Sequence, residues 1–390
     1  MSNKKIYRTT IHIGYDANGN RITKTIRASS KYDLNKKKRE ILNARDQGKD
    51  ILSKSTFDFW AQKWLVETKL NSGIKNSTIV QYKSAIKHLS SRFGSTEMKD
   101  ITLSEFQQFI NALSSNNPNT GKPTSKRTLE SIKKSASAIF DYACNNNIDG
   151  VKNFMSSVQI PKNAPISKRR ALTEEEIQWI IDTPHRAQPA AMTMLFTGLR
   201  RGELFALRWQ DIDFDHRTIS VQQSVEIISN QSVIKEGGKS DNAVRTIPMP
   251  PILYNYLLNY KNSVSNDSQY VCTNKSGKIF TKSSFDAMWR SYLNDLNIIY
   301  KYNSQVSKFN GKNGPLPMKI ERFTPHYLRH TYATLLYLQG TNVAYAMQLL
   351  GHSDITATIN IYTDLKNYNK ATLSDSFKNN LKNEFSIKTE

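Results

Sequence analysis

Three short stretches of this sequence bring together residue types able to handle a reaction at phosphorus. TGLRRGELFALRW puts Arg200 just after a glycine turn, at the start of a helical pattern, with Glu203 three residues on. On a helix that spacing makes Glu203 a neighbour able to buttress Arg200. TPHYLRHTYAT carries His326, Arg329 and His330 at spacings of three and four, so one short helix holds them as neighbours. LLGHSDITATINIYTDL supplies His352 after a glycine break and Tyr362 ten residues later. Between the first two stretches, KSDNAVRTIP sets Lys239 in a polar hairpin ahead of a strand.

Breaking a phosphodiester without water needs such a set. A nucleophile must attack phosphorus and keep the bond energy in a covalent link, and tyrosine is one side chain that does so. Negative charge on the equatorial oxygens calls for fixed cationic donors, for which the planar, always charged guanidinium is suited. The leaving oxygen needs a proton from a general acid. His326 and His330 share the four-residue spacing of a zinc-binding pair, but Tyr327 rather than Glu follows His326. No metal and no cofactor is expected, because Arg, His and Lys can activate a phosphate by themselves. His330 reads as structural support. His12, His88, His185 and His216 read as ordinary surface or core histidines.

Charge sets the context for that chemistry. Lys plus Arg number 55 against 33 Asp plus Glu, a net charge of +22. An excess of this kind suits a polyanion, since each neutralised phosphate releases counterions. It is also uneven. Residues 1–54 carry 14 basic and 5 acidic side chains, and residues 151–170 carry 5 basic and none acidic. Such clustering favours nucleic acid over a generally solubilised surface. No apolar run approaches the roughly 20 residues of a membrane span, and MSNKKIYRTT lacks the apolar centre of a signal peptide. Cys144 and Cys272 stand too far apart to suggest a disulfide framework. The expectation is a cytoplasmic protein with no membrane partner.

The 390 residues allow two or three domains. Residues 1–54 read as a hairpin followed by a helix over about 32–47. Ile11, Ile13 and Tyr15 alternate with polar residues, as do Ile22 and Ile26 after the turn signal Asn18-Gly19. Arg21, Thr23, Thr25 and Arg27 share the other face, which could enter a DNA groove or simply be solvated. Residues 55–150 read as all-helical. Thr56, Ser77 and the Thr102–Glu105 capping box mark helix starts, and Leu129, Ile132, Ala136, Ile139 and Ala143 mark a fourth helix. Lys83, Lys87, Lys126 and Arg127 could face phosphates or water. Residues 151–170 read as a basic linker ending in Lys168, Arg169 and Arg170, three further candidates for DNA contact. Residues 171–390 mix helices with strands in TISVQQS and across 231–248. The expected fold is multidomain α+β: a small hairpin-and-helix domain, an all-helical domain, and a mainly helical domain with a small antiparallel sheet.

With these stretches in hand, the chain resembles the tyrosine recombinases, the phage integrase family. TGLRRGE resembles the family's first arginine box, HYLRHTYAT its second, and LGHSDITATINIY its third, which ends in the nucleophile. The three occur in the family's order, and their combination is specific where each alone is weak. Tyr362 is one of 18 tyrosines, and its place in the third box is what marks it out. The helical segment resembles the family's core-binding domain. The basic hairpin resembles the arm-binding domain of integrases from phages and conjugative transposons of Gram-positive bacteria, which usually has three strands where two are read here.

The resemblance implies roles. Arg200 and Arg329 would clamp the scissile phosphate. His326 and His352 would donate hydrogen bonds to it, Glu203 would orient Arg200, and Lys239 would be the general acid. The family often reads Lys-Thr where this chain has Lys239-Ser240. Lys235 stands four residues earlier, and the spacing to Arg245 favours Lys239. The resemblance further implies a homotetramer on double-stranded attachment sites. Each C-terminal tail would pack on a neighbour through Leu373, Phe377, Leu381 and Phe385. An excision factor and a host DNA-bending protein would be accessory partners. A type IB topoisomerase, or a DNA-binding regulator without catalysis, are the rival expectations.

Overall fold

The computed structural model describes residues 7–15, 21–46, 56–74, 76–118, 120–148, 150–166, 170–228, 230–236, 244–264, 268–302, 316–351, 356, 359 and 373–386. The chain divides into two compact units, residues 1–167 and 168–390.

The first unit opens with β1 (Tyr7–Tyr15) and β2 (Arg21–Ala28), paired antiparallel with Thr10 opposite Thr25 and a bulge between His12 and Gly14. Alternation along a strand sends successive side chains to opposite faces. Ile11, Ile26 and Ala28 are buried together with Leu34 of α1 (Lys31–Asp46). Thr23, Thr25 and Arg27 are exposed on the other face, where the Thr10 and Thr25 hydroxyls meet at 3.0 Å. Among the described residues this sheet has two strands.

Among the described residues four α-helices follow: α2 (Phe57–Trp64), α3 (Asn76–Phe93), α4 (Leu103–Ser115) and α5 (Lys126–Asn145). Thr56 caps α2, Ser125 caps α5, and Thr102 with Glu105 closes a capping box on α4. Ser77, expected as a cap, lies inside α3, which begins one residue earlier. The apolar stripes meet in one core, with Phe93 stacked on Phe106 at 5.5 Å. Residues 151–166 join that core rather than crossing open space. Val151, Met155, Val158 and Ala164 are buried in it, and the Lys133 ammonium donates to the Val158 carbonyl at 2.6 Å.

The second unit contains α6 (Glu174–Asp182), α7 (Gln188–Thr197), α8 (Arg201–Ala206), β3 (Ile212–Asp213), β4 (Thr218–Val221), β5 (Gln223–Ile228), β6 (Gln231–Glu236) and β7 (Arg245–Pro248). It continues with α9 (Pro251–Ser263), α10 (Lys282–Lys301), α11 (Pro325–Leu338), α12 (Val343–Leu350) and α13 (Asp375–Lys382). Every residue of α7 is buried. Its two threonines stay satisfied by bonding back along the helix, Thr193 to the Pro189 carbonyl at 2.7 Å and Thr197 to the Thr193 carbonyl at 2.5 Å. Strands β3, β4 and β7 form an antiparallel sheet in that order, and among the described residues β5 pairs only with β6.

The C-terminal tail differs from the expectation. Leu373, Phe377, Leu381 and Phe385 are buried in the core of their own unit, with Phe385 against Phe196 at 5.2 Å. Helical spacing correctly implies a docking face but does not say on what. Docking on the chain's own core buries the same apolar area without the entropy cost of association.

Candidate active site

The geometry of the site begins with two glycine turns. Gly198 ends α7 at φ +64°, and a Cβ there would lie 2.5 Å from Tyr332 and 3.1 Å from Leu350. Only glycine suits both the left-handed turn and the close approach. The turn delivers Arg200 to the cap position of α8. There the Arg200 backbone N–H donates to Glu203 Oε2 at 2.8 Å and its Nη1 to Oε1 at 2.7 Å. Gly351 ends α12 in the same way, at φ +62°, directly before His352.

Three arginines converge on the end of α12. Arg245 of β7 donates from Nε to the Leu349 carbonyl at 2.7 Å. Arg329 of α11 donates from Nη2 to the Leu350 carbonyl at 2.6 Å, and from Nη1 to the Gly198 carbonyl at 2.7 Å. Arg200 donates from Nη2 to the Gly351 carbonyl at 2.5 Å. These are carbonyls that a helix C-terminus leaves without intrahelical partners, and that end carries partial negative charge. The helix end therefore offsets part of the repulsion among three close cations.

Glu203 supplies the remaining negative charge. Its carboxylate is 5% exposed and bridges Arg200 and Arg245, whose Nη2 lies 2.8 Å from Oε2. Burial alone would raise the Glu203 pKa, but Arg245 and Arg200 hold it down to about 2. Arg329 is buried, and desolvation together with the Arg200 charge lowers its pKa to about 9. The Arg200 side chain is 42% exposed. Among the described residues the cluster thus carries three guanidiniums against one carboxylate, with an open side at Arg200. It can receive an anion that its own partners do not neutralise.

His326 is exposed one turn before Arg329 on α11, and His330 is half-buried one turn after His326. Lys239, His352 and Tyr362 lie outside the described residues, as do Lys168 and Arg169. Lys235, the rival lysine, forms an ion pair with Glu226 across the β5–β6 hairpin. Among the described residues no three His, Cys, Asp or Glu side chains gather as a possible metal site.

The other candidates for DNA contact scatter. Thr23, Thr25 and Arg27 share the open hairpin face, and Arg21 lies on the same strand, β2. Lys83 and Lys87 are exposed on α3; Arg127 is exposed and Lys126 half-buried at the start of α5. Arg170 is engaged within the second unit, bidentate to Glu176 at 2.6 and 2.7 Å and bonded to Glu321 at 2.9 Å. The residue that sequence reasoning missed is Arg245. Its one sequence signal is the spacing from Lys239, and nothing in RTIP marks the cation as buried.

Residues 170–368 match the Phage integrase family, and residues 56–114 match the phage integrase N-terminal SAM-like domain. A tyrosine recombinase XerC-like protein of Caldanaerobacter subterraneus subsp. tengcongensis is 27% identical over 387 residues, covering 92% of each chain. The integrase of Staphylococcus phage L54a is 26% identical over 360 residues, covering 85% of this chain and 94% of its own. Among solved structures, the Tn1549 transposon integrase in complex with transposon right end DNA superposes with a TM-score of 0.59 at 23% identity. That match covers 78% of this chain and 94% of the other. No described helix is long and apolar enough to cross a membrane.

Proposed function

The chain belongs to the phage integrase family and is a site-specific DNA recombinase of the tyrosine class; from that premise we propose that it integrates and excises a mobile element through a 3′-phosphotyrosine bond to Tyr362. One observation carries the proposal. Arg200 and Arg329, from two different helices, meet at the end of α12, and the chain runs from there into the segment bearing His352 and Tyr362.

In this reading the scissile phosphate sits on the open side of Arg200. The two guanidiniums bind its non-bridging oxygens and stabilise the charge that grows there in the transition state. The Tyr362 oxygen attacks phosphorus and the P–O5′ bond breaks. The 5′ oxygen takes a proton from Lys239, and the tyrosine proton passes to one of the histidines, His326 or His352. Rejoining is the reverse step, with a 5′ hydroxyl of another strand attacking the phosphotyrosine. Glu203 keeps Arg200 aimed. Exchanging two duplexes cuts four strands with one tyrosine each, so a homotetramer is the working unit.

The N-terminal hairpin would read arm sites through Arg21, Thr23, Thr25 and Arg27. The helical region would grip the core site through Lys83, Lys87, Lys126 and Arg127. Lys168 and Arg169 would follow the backbone, while Arg170 is already committed to two carboxylates. The test is a paired-site assay against plasmid relaxation. Strand exchange between candidate attachment sites is the expected result. Relaxation without exchange would favour a topoisomerase, and DNA binding with neither activity a silent regulator.

A further inference from the structure

The clamp contains a third arginine that the proposed chemistry does not use. Arg245 lies on β7, its side chain 2% exposed. Its guanidinium spans two elements: Nη1 and Nη2 reach Glu203 of α8 at 3.3 and 2.8 Å, and Nε reaches the Leu349 carbonyl of α12 at 2.7 Å. Gly351 presses on the same group. A Cβ at that glycine would stand 2.8 Å from Arg245 Nη1 and 3.1 Å from its Cζ. Arg245 is therefore packed between the helix that carries Arg200 and the turn that leads to His352.

We infer that Arg245 is a positioning residue of the recombinase: by holding Glu203 and the end of α12 at once, it fixes the spacing between the arginine box and the segment that supplies the nucleophile. We assign it to positioning rather than to the phosphate because its Nε, Nη1 and Nη2 all bond Glu203 or the Leu349 carbonyl. Its effect runs through Glu203. With Arg245 in place, both Glu203 oxygens are shared between Arg200 and Arg245, and the 42%-exposed Arg200 side chain stays open towards the phosphate. Without it, Glu203 loses one of the two cations that hold its carboxylate in place, and its aim on Arg200 is loosened. Lysine cannot replace it, since a single ammonium has no fork to meet the carboxylate and the Leu349 carbonyl in their fixed geometry.

The same arrangement ties the role to pH. Among the described residues Glu203 faces the charge of Arg200 at the start of its own helix, of Arg245 on β7 and of Arg329 on α11. Removing the Arg245 charge raises the Glu203 pKa from its depressed value. The carboxylate then takes up a proton as pH falls and releases Arg200.

This role rests on the clamp proposed above, so the experiment carries a separate control. The full-length protein is tested as wild type, Arg245→Lys, Arg245→Gln and Arg200→Ala on a core-site duplex. Equilibrium binding is measured alongside the rate of covalent adduct formation from pH 5 to 8. Both Arg245 variants are expected to bind within threefold of wild type and to form adduct at least tenfold more slowly. The Gln-to-wild-type rate ratio should fall further towards pH 5, whereas the Lys-to-wild-type ratio should stay level. Wild-type rates in either variant would overturn the inference, as would a Gln ratio that does not change with pH. If Arg245→Gln does not fold, Arg245→Lys decides on the split between binding and rate. Adduct formation by Arg200→Ala at the wild-type rate would instead remove the clamp itself, whatever the Arg245 variants do.

Discussion

Gly202 sits between Arg201 and Glu203 on α8, and replacing it with alanine should disable cleavage without unfolding the protein. A methyl group there would lie 2.6 Å from the Val225 carbonyl oxygen and 2.8 Å from Ser224 Oγ, both on β5. Ordinary contact starts at 3.4 Å, so α8 and β5 must part by about 0.8 Å. The carbonyl belongs to the backbone and cannot swing aside as a long side chain would. Strand β5 moves with β6, because Ser224 pairs with Lys235 and Val225 with Ile234. Lys239 follows three residues after the end of β6. Displacement of a reacting group by about 1 Å can lower a rate on the order of 100-fold. Overpacking of this size costs about 1–3 kcal/mol, or a drop in Tm of roughly 2–12 °C for a unit this large. The assay is single-turnover adduct formation, run on an ordinary core site and on one with a 5′-bridging phosphorothiolate. The sulfur leaves as a thiolate that needs little protonation. Gly202→Ala should be slow on the ordinary site and largely restored on the phosphorothiolate, as should Lys239→Ala. Restoration of Lys239→Ala but not Gly202→Ala would refute this reasoning and place the damage at Arg200 instead of the hairpin.

Other outcomes follow from the same geometry. Phe385→Ala removes a 2%-exposed ring from the second unit's core and should cost about 3–5 kcal/mol, read as a Tm at least 5 °C lower; an unchanged Tm would mean the tail does not rest there. Cleavage should survive EDTA, since the clamp is built from Arg200, Arg329 and Lys239, and loss in chelator with recovery on a divalent ion would contradict it. A 55–390 fragment should still form adduct on an isolated core site but fail in recombination between full attachment sites, because a tethered second module supplies the effective concentration that bridges distant sites. Alanines at Arg21, Thr23, Thr25 and Arg27 should mimic the deletion, and normal full-site recombination by either protein would end the arm-binding assignment.

What the sequence made legible was local. Glu203 next to Arg200, and His326 one turn from Arg329, follow from helical spacing alone, and both spacings hold in α8 and α11. The alternation that buries Ile11 and Ile26 and leaves Thr25 and Arg27 outside is equally a property of a few neighbouring residues. The meeting of Arg200, Arg245 and Arg329 at three successive carbonyls was not legible. It joins arginines to carbonyls 21, 104 and 151 positions away along the chain, and depends on how far α7 lets α11 and α12 approach at Gly198. Arg245 looks in sequence like any strand residue, because burial is a property of what packs over it. The tail shows the same boundary, since the spacing of Leu373, Phe377 and Leu381 reveals an apolar face and leaves its partner surface open. Residues 151–166, with two prolines and two lysines, have no periodicity to announce Val158 as core.

The nucleophile is the centre of the proposed mechanism. The direct measurement is covalent adduct formation between the full-length protein and a core-site duplex, followed by digestion and identification of the linked peptide, for wild type and Tyr362→Phe. The substitution keeps the ring and removes only the hydroxyl, so binding to the core site should be nearly unchanged. Wild type should yield a 3′-phosphotyrosine link within the peptide containing Tyr362, and Tyr362→Phe should yield none. A denaturant-resistant adduct formed by Tyr362→Phe, or a wild-type link mapped to another residue, would contradict the assignment.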